Sequence, residues 1–156
     1  MIDTRPARRQ RPTLAEFSNR RIGSGSQLQQ LANLLVRPFA APSFIGFWRL
    51  WNPVYGYYLY YWSYRPLRRV VPRPVAELAT FAVSGFVLHD LPLFAARRGF
   101  GFPYLTAWFV LAGGIAIVAE RLHIAVPSLP APARVVLNAA YLLATLFAVV
   151  LLSVSI

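Results

Sequence analysis

The stretch VAELATFAVSGFVLHDLPLFAA, Val75 to Ala96, is apolar over a length that crosses a bilayer, yet it holds a histidine and an aspartate. About 17–25 apolar residues suffice for a hydrocarbon layer about 30 Å thick. An ionisable group at the centre of such a span costs about 2.5–3.5 kcal/mol even on lenient insertion scales. His89 and Asp90, about two-thirds of the way along, are therefore expected to face protein or a wet cavity rather than lipid. Neutral imidazole is cheaper to bury than a carboxylate. The reading puts His89 deep and Asp90 toward the far interface, as a cap or an arginine partner, with Pro92 ending regular helix.

Two more segments have a comparable length and composition. Pro103–Ala119 contains Gly113–Gly114, which permits close helix contact, and Arg134–Ile156 carries no charge after Arg134. The prediction is an all-α integral membrane helical protein with three clear transmembrane helices plus an interfacial or broken aromatic helix. Composition agrees, since the 156 residues are 57% hydrophobic and only 13% charged. Mean hydropathy is +0.48, whereas a soluble domain carries about 25% charged residues.

Several function classes drop out. The absence of cysteine excludes disulfide frameworks, thiolate zinc sites and cysteine nucleophiles. Two histidines and five acids argue against a metal cage, so neither a metal nor a resident cofactor is expected. The net charge of +11 comes entirely from arginine, and twelve of the sixteen arginines lie in residues 1–73. That asymmetry fits positive cytoplasmic flanks and contact with anionic membrane lipids. No polar scaffold surrounds it, so no nucleic acid partner is expected.

The charge bias predicts a cytoplasmic N-terminus in a bacterial inner membrane. Arg97–Arg98 then lie on the far side, and Arg121 and Arg134 back inside. The opening MIDTRPARRQRP is not followed by the apolar run and cleavage site of a secretory signal.

Three regions follow. Residues 1–26 are expected to be an irregular basic tail. Residues 27–43 should hold an amphipathic interfacial helix and linker, with Leu28, Leu31, Leu34 and Leu35 on one stripe and Pro38 as its end. Residues 44–156 form the membrane domain. It opens with FWRLWNPVYGYYLYYWSYRPLRR, Phe47 to Arg69, where three tryptophans and six tyrosines adjoin a burst of arginine. Such rings, apolar in body and polar at the edge, settle at headgroup depth. Arg49, Asn52 and Pro53 interrupt Phe44–Tyr64, which predicts a broken or tilted helix rather than a clean crossing.

This aromatic block and the span after it resemble the C-terminal signature of membrane-bound O-acyltransferases, most closely the sterol and diacylglycerol acyltransferase branch. The resemblance rests on three blocks: Phe47, Trp48, Trp51 and Asn52; then Tyr64, Pro66 and Arg68; then Ser84, Gly85, Phe86 and His89. The 37 residues from Asn52 to His89 match the family's separation, while Ser84 to His89 is five residues where the family usually shows four. The resemblance implies His89 as the general base that takes a hydroxyl proton as the oxygen attacks an acyl-CoA thioester. Imidazole suits that work at neutral pH. It implies Asn52 as partner of the oxyanion or acceptor, and Ser84, Trp48, Trp51, Arg65 and Arg68 as substrate-binding residues, with arginine holding acyl-CoA phosphates. Family members have many more helices, so a protein partner or homo-oligomer supplying the missing ones is expected.

Each of these residues also has a structural reading. His89 can bond a neighbouring helix, Asn52-Pro53 can break a helix, the rings can form a belt and the arginines can set topology. His123 reads as a solvated loop residue. The alternative function is a catalytically inactive structural or accessory subunit of a membrane complex.

Overall fold

In the computed structural model, which describes residues 11–23 and 25–154, the chain folds entirely into helices and loops, with no strand among the described residues. Three helices are long and apolar enough to cross a membrane: Arg73–Arg97, Tyr104–Arg121 and Ala131–Val154. At 1.5 Å per residue they measure about 37, 27 and 36 Å, enough for the hydrocarbon layer. The predicted architecture is the observed one.

Before the spans lie α1 (Leu14–Ile22), α2 (Gln27–Phe39), α3 (Phe44–Leu50) and α4 (Pro53–Leu59). Helix α1 occupies a segment expected to be irregular. Thr13 and Glu16 explain it, because they form a capping box that satisfies the first-turn amides. The rest of the expected tail, residues 1–10, lies outside the described residues.

Ser26 and Gln29 cap α2 in the same way, and Pro38 sits inside its last turn rather than ending it. Leu28, Leu31 and Leu35 point away from the protein at 80%, 60% and 58% exposure, an apolar face open to lipid or to a partner, while Leu34 of the expected stripe is half-buried.

Phe44–Tyr64 is broken as expected. Trp51 and Asn52 leave helical geometry between α3 and α4, and Asn52 adopts a left-handed backbone with φ 38°. Pro53 then opens α4 where its missing N–H costs nothing.

Two prolines widen the helices instead of stopping them. Helix α4 runs into a π-turn at Tyr60–Tyr64 and then into α5 (Arg65–Leu67), which carries Pro66. The first span begins as α6 (Arg73–Gly85), widens to a π-turn at Phe86–Asp90 and continues as α7 (Leu91–Arg97), which carries Pro92. A proline ring clashes with the carbonyl four residues upstream. Those carbonyls belong to Trp62 and Leu88, and each lies in the π-turn that makes room for the ring. Pro92 thus reshapes the helix around His89, and helical structure persists to Arg97.

The first span packs antiparallel on α8 (Tyr104–Arg121). Gly85 abuts the Thr106 backbone, Phe81 lies on Gly113 and Leu78 on Gly114, while Arg73 meets Glu120. A Cβ on Gly85 would lie 2.5 Å from Thr106 Cα, so only glycine permits this approach.

Helix α9 (Ala131–Val154) contributes a buried stripe of Asn138, Tyr141, Thr145 and Val149. The Asn138 amide donates to the Phe39 and Ala41 carbonyls at 2.8 and 3.0 Å, pinning the α2–α3 linker. Trp48 Nε1 donates to the Tyr141 hydroxyl at 2.9 Å, and that hydroxyl donates to the Ala112 carbonyl at 2.6 Å. Trp108 Nε1 donates to Thr145 Oγ1 at 3.0 Å. In a medium as apolar as the side chains themselves, such bonds hold helices together where hydrophobicity cannot.

At the Arg73 end, Glu120 takes Arg49 at 2.6 Å and Arg73 at 2.9 Å, and Arg73 also pairs with Glu77 at 2.8 Å. The Arg49 carbonyl accepts from Arg21 Nε, and the Arg21 carbonyl accepts from Arg37. This chain of bonds ties α1 and α2 to the end of the bundle. Desolvation lowers the Arg21 pKa, opposed by nearby Tyr61, but a guanidinium starts so high that it stays charged.

Candidate functional site

His89 stands in the π-turn, half-buried, with Nδ1 2.8 Å from the Ser84 carbonyl five residues earlier. A carbonyl only accepts, so this bond puts a proton on Nδ1, and in the neutral ring Nε2 keeps its lone pair. The ring lies 4.8 Å from Phe109 and 6.3 Å from Tyr55, centroid to centroid. The imidazole therefore sits among protein groups, between the first span, α8 and α4.

Asp90 does different work one residue on. It is 1% exposed, and its carboxylate accepts the Leu105 N–H at 3.2 Å and the Thr106 N–H and hydroxyl, each at 2.6 Å. These amides open α8, which lacks a capping side chain of its own because Pro103 occupies that position. Asp90 caps a neighbouring helix across the hairpin. A helix start is the place where a buried carboxylate finds unpaired N–H groups and a favourable dipole.

The other expected site residues are dispersed. Asn52 accepts the Tyr55 N–H at 3.2 Å and serves as N-cap of α4. Trp48 is bonded to Tyr141 and surrounded by Phe47, Phe81, Trp108 and Phe109. Trp51 stacks on Phe47 at 5.3 Å with Phe39 at its edge. Ser84 is buried and offers His89 its carbonyl. Arg68 donates to the Val71 carbonyl in the turn before the first span, and Arg65 lines a groove against α1. Exposed His123 has a left-handed backbone at the end of α8.

Within the expected set, a hydrogen bond joins His89 to the Ser84 carbonyl. Sequence reasoning missed Tyr55 and Phe109, which flank the imidazole, and Thr106, which holds Asp90. Tyr55 carried one signal: it lies a single turn beyond Asn52, on the segment that returns toward the span. Phe109 carried none, since its position depends on the register between the first span and α8.

Two concavities stand out, and His89 lines neither. One is a small apolar pocket beside Asn138, between Pro42 and Val126; the other is the open groove between α1 and the Tyr60–Tyr64 turn. Among the described residues no three His, Asp or Glu side chains come together as metal ligands would. No family model matches the chain, and neither a curated protein nor a solved structure is significantly similar to it.

Proposed function

We propose that this chain is a membrane-embedded structural or accessory subunit that works within a larger membrane assembly. One observation carries this reading: three of the side chains set apart for acyl transfer, Asn52, Trp48 and Arg68, serve the chain's own fold. Asn52 caps a helix, Trp48 joins α3 to α9, and Arg68 closes a turn. Three spans also offer little volume in which to enclose an acyl chain away from lipid, since only 22%, 33% and 22% of their apolar windows are buried inside the protein. Extraction in mild detergent followed by native mass spectrometry tests the proposal. Recovery with partner chains, or as a defined homo-oligomer, is the expected result. A monodisperse 17.5 kDa species at every protein concentration would refute it.

A second reading, acyl transfer from acyl-CoA to a lipid or alcohol hydroxyl, is favoured by the His89 tautomer. With Nδ1–H held by Ser84, Nε2 is ready to accept a hydroxyl proton as that oxygen attacks the thioester carbonyl; the C–S bond then breaks, and the proton passes from Nε2 to the coenzyme A sulfur as it leaves. In this reading the helices that shelter the acyl chain come from the assembly. Equal acyl-transfer rates for wild type and His89→Ala in the purified assembly would eliminate it.

Both readings share one topology: a bacterial inner membrane, with the Arg73, Arg121 and Arg134 end in the cytoplasm and Arg97–Arg98 outside, as the arginine bias favours. The chain has no cysteine, so single introduced thiols report cleanly. Gly99→Cys should react with an impermeant maleimide in intact cells and Ser128→Cys only after lysis; the reverse pattern would invert the topology.

A further inference from the structure

The groove between α1 and the Tyr60–Tyr64 turn encloses about 890 Å³ and is lined chiefly by Arg11, Arg20, Arg65, Tyr60, Tyr61 and Glu16. Five arginines outside the groove have internal work: Arg21, Arg37 and Arg68 bond carbonyls, and Arg49 and Arg73 pair with Glu120. The three in the groove do not. Among the described residues no carboxylate lies within salt-bridge distance of Arg11, Arg20 or Arg65, and none of the three donates a hydrogen bond. Glu16 lines the same groove, but its carboxylate accepts the Thr13 N–H of the capping box.

Two of these guanidinium groups are already positioned. Arg11 lies 4.0 Å from the Tyr61 ring centroid and 4.7 Å from that of Tyr57, and Arg65 lies 5.9 Å from Tyr61. Stacking on a ring holds a guanidinium plane still while leaving its N–H edge free. A bidentate oxyanion is then bound at a lower entropic cost.

We propose that this groove binds the phosphate-bearing headgroup of an anionic membrane phospholipid, with Arg11, Arg20 and Arg65 as donors. Three guanidinium groups against one carboxylate give the lining a net positive charge that complements a phosphodiester. The neighbouring helix identifies the source of the phosphate. Asn33 of α2 donates to the Ile22 carbonyl and Arg37 to the Arg21 carbonyl, which fixes α2 against α1. The stripe of Leu28, Leu31 and Leu35 on α2 faces away from the protein. Once that stripe enters the lipid interface, α1, bonded to α2 through Arg21 and Ile22, is drawn to the headgroup layer together with the groove along it. Tyr60 and Tyr61, apolar in ring and polar at the hydroxyl, are residue types that suit the same depth. The site depends neither on His89 nor on a partner subunit.

The test uses the full chain in nanodiscs of phosphatidylcholine doped with phosphatidylglycerol, and native mass spectrometry counts the lipids it retains. Wild type should retain phosphatidylglycerol in preference to phosphatidylcholine. The double variant Arg20→Gln/Arg65→Gln should lower that preference about tenfold, or about 1.4 kcal/mol. Arg97→Gln/Arg98→Gln, which loses the same charge at the other end of the span, should leave it unchanged. Circular dichroism checks that both variants keep wild-type helicity. Unaltered preference in the groove variant, or an equal loss in the distal one, would overturn the proposal. Displacement of the lipid by inorganic phosphate or coenzyme A would overturn the assignment to a lipid.

Discussion

Asp90→Ala offers the sharpest test of how the first two spans are joined. The wild-type carboxylate is almost fully buried and serves three donors: the N–H groups of Leu105 and Thr106 and the Thr106 hydroxyl. Alanine strands the two amides at a helix start with no local cap. Losing an N-cap costs about 0.5–2 kcal/mol, and a buried unpartnered donor about 1–3 kcal/mol. The hydroxyl can turn to a carbonyl of its own helix, so the two amides dominate and the expected loss is about 2–4 kcal/mol.

Asp90→Asn retains one acceptor oxygen and should lose about half as much. Thr106→Ala should cost about 1 kcal/mol in wild type and almost nothing beside Asp90→Ala, a coupling that two independent sites would not show. Reversible unfolding in mixed micelles, followed by helical circular dichroism and tryptophan fluorescence, measures each term. If Asp90 faced lipid instead of α8, removing its charge would stabilise the chain. An Asp90→Ala variant as stable as wild type, or more so, would refute the cap.

Three further outcomes follow from the packing. Gly113→Ala puts a Cβ 2.4 Å from the Phe81 ring and should destabilise by about 1–3 kcal/mol, whereas Gly114→Ala meets only Leu78 Cδ1 at 3.8 Å and should be nearly neutral. The same unfolding assay ranks the pair, and equal effects would contradict the helix register. Tyr141→Phe removes the hydroxyl that joins Trp48 to Ala112 and should cost about 1–2 kcal/mol, with a shift in tryptophan emission as the indole N–H loses its partner. Glu120→Gln weakens contacts to half-exposed Arg49 and Arg73, so its cost should stay near or below about 1 kcal/mol and shrink with added salt.

Local chemistry explains what was legible along the chain. The three spans were plain because an apolar run of sufficient length has no other economical place to go, and their bounds needed no knowledge of neighbours. The break at Trp51–Asn52 was equally local, since proline and asparagine act on their own backbone. Helix α1 was legible too, in Thr13 and Glu16 at capping-box spacing, but the surrounding arginine, glycine and serine pointed toward irregular structure. The last span carries no charge after Arg134, yet Asn138, Tyr141 and Thr145 recur in it at helical spacing as the bonding stripe that docks it.

The amino-acid sequence alone determined that this is a helical membrane protein, which segments are long and apolar enough to cross and where its aromatic segment breaks. These outcomes depend on hydrophobicity and backbone restriction within single segments. Only the tertiary structure decided what the polar residues do. Whether Asp90 caps a helix, which hydroxyl receives the Trp48 indole N–H, and which arginines pair with Glu120 all depend on residues that packing brings together from distant parts of the chain. Asp90 and Thr106 are sixteen positions apart, and Trp48 and Tyr141 ninety-three. A hydrogen bond requires its partner within about 3 Å, so its meaning belongs to the register between helices and not to either helix alone.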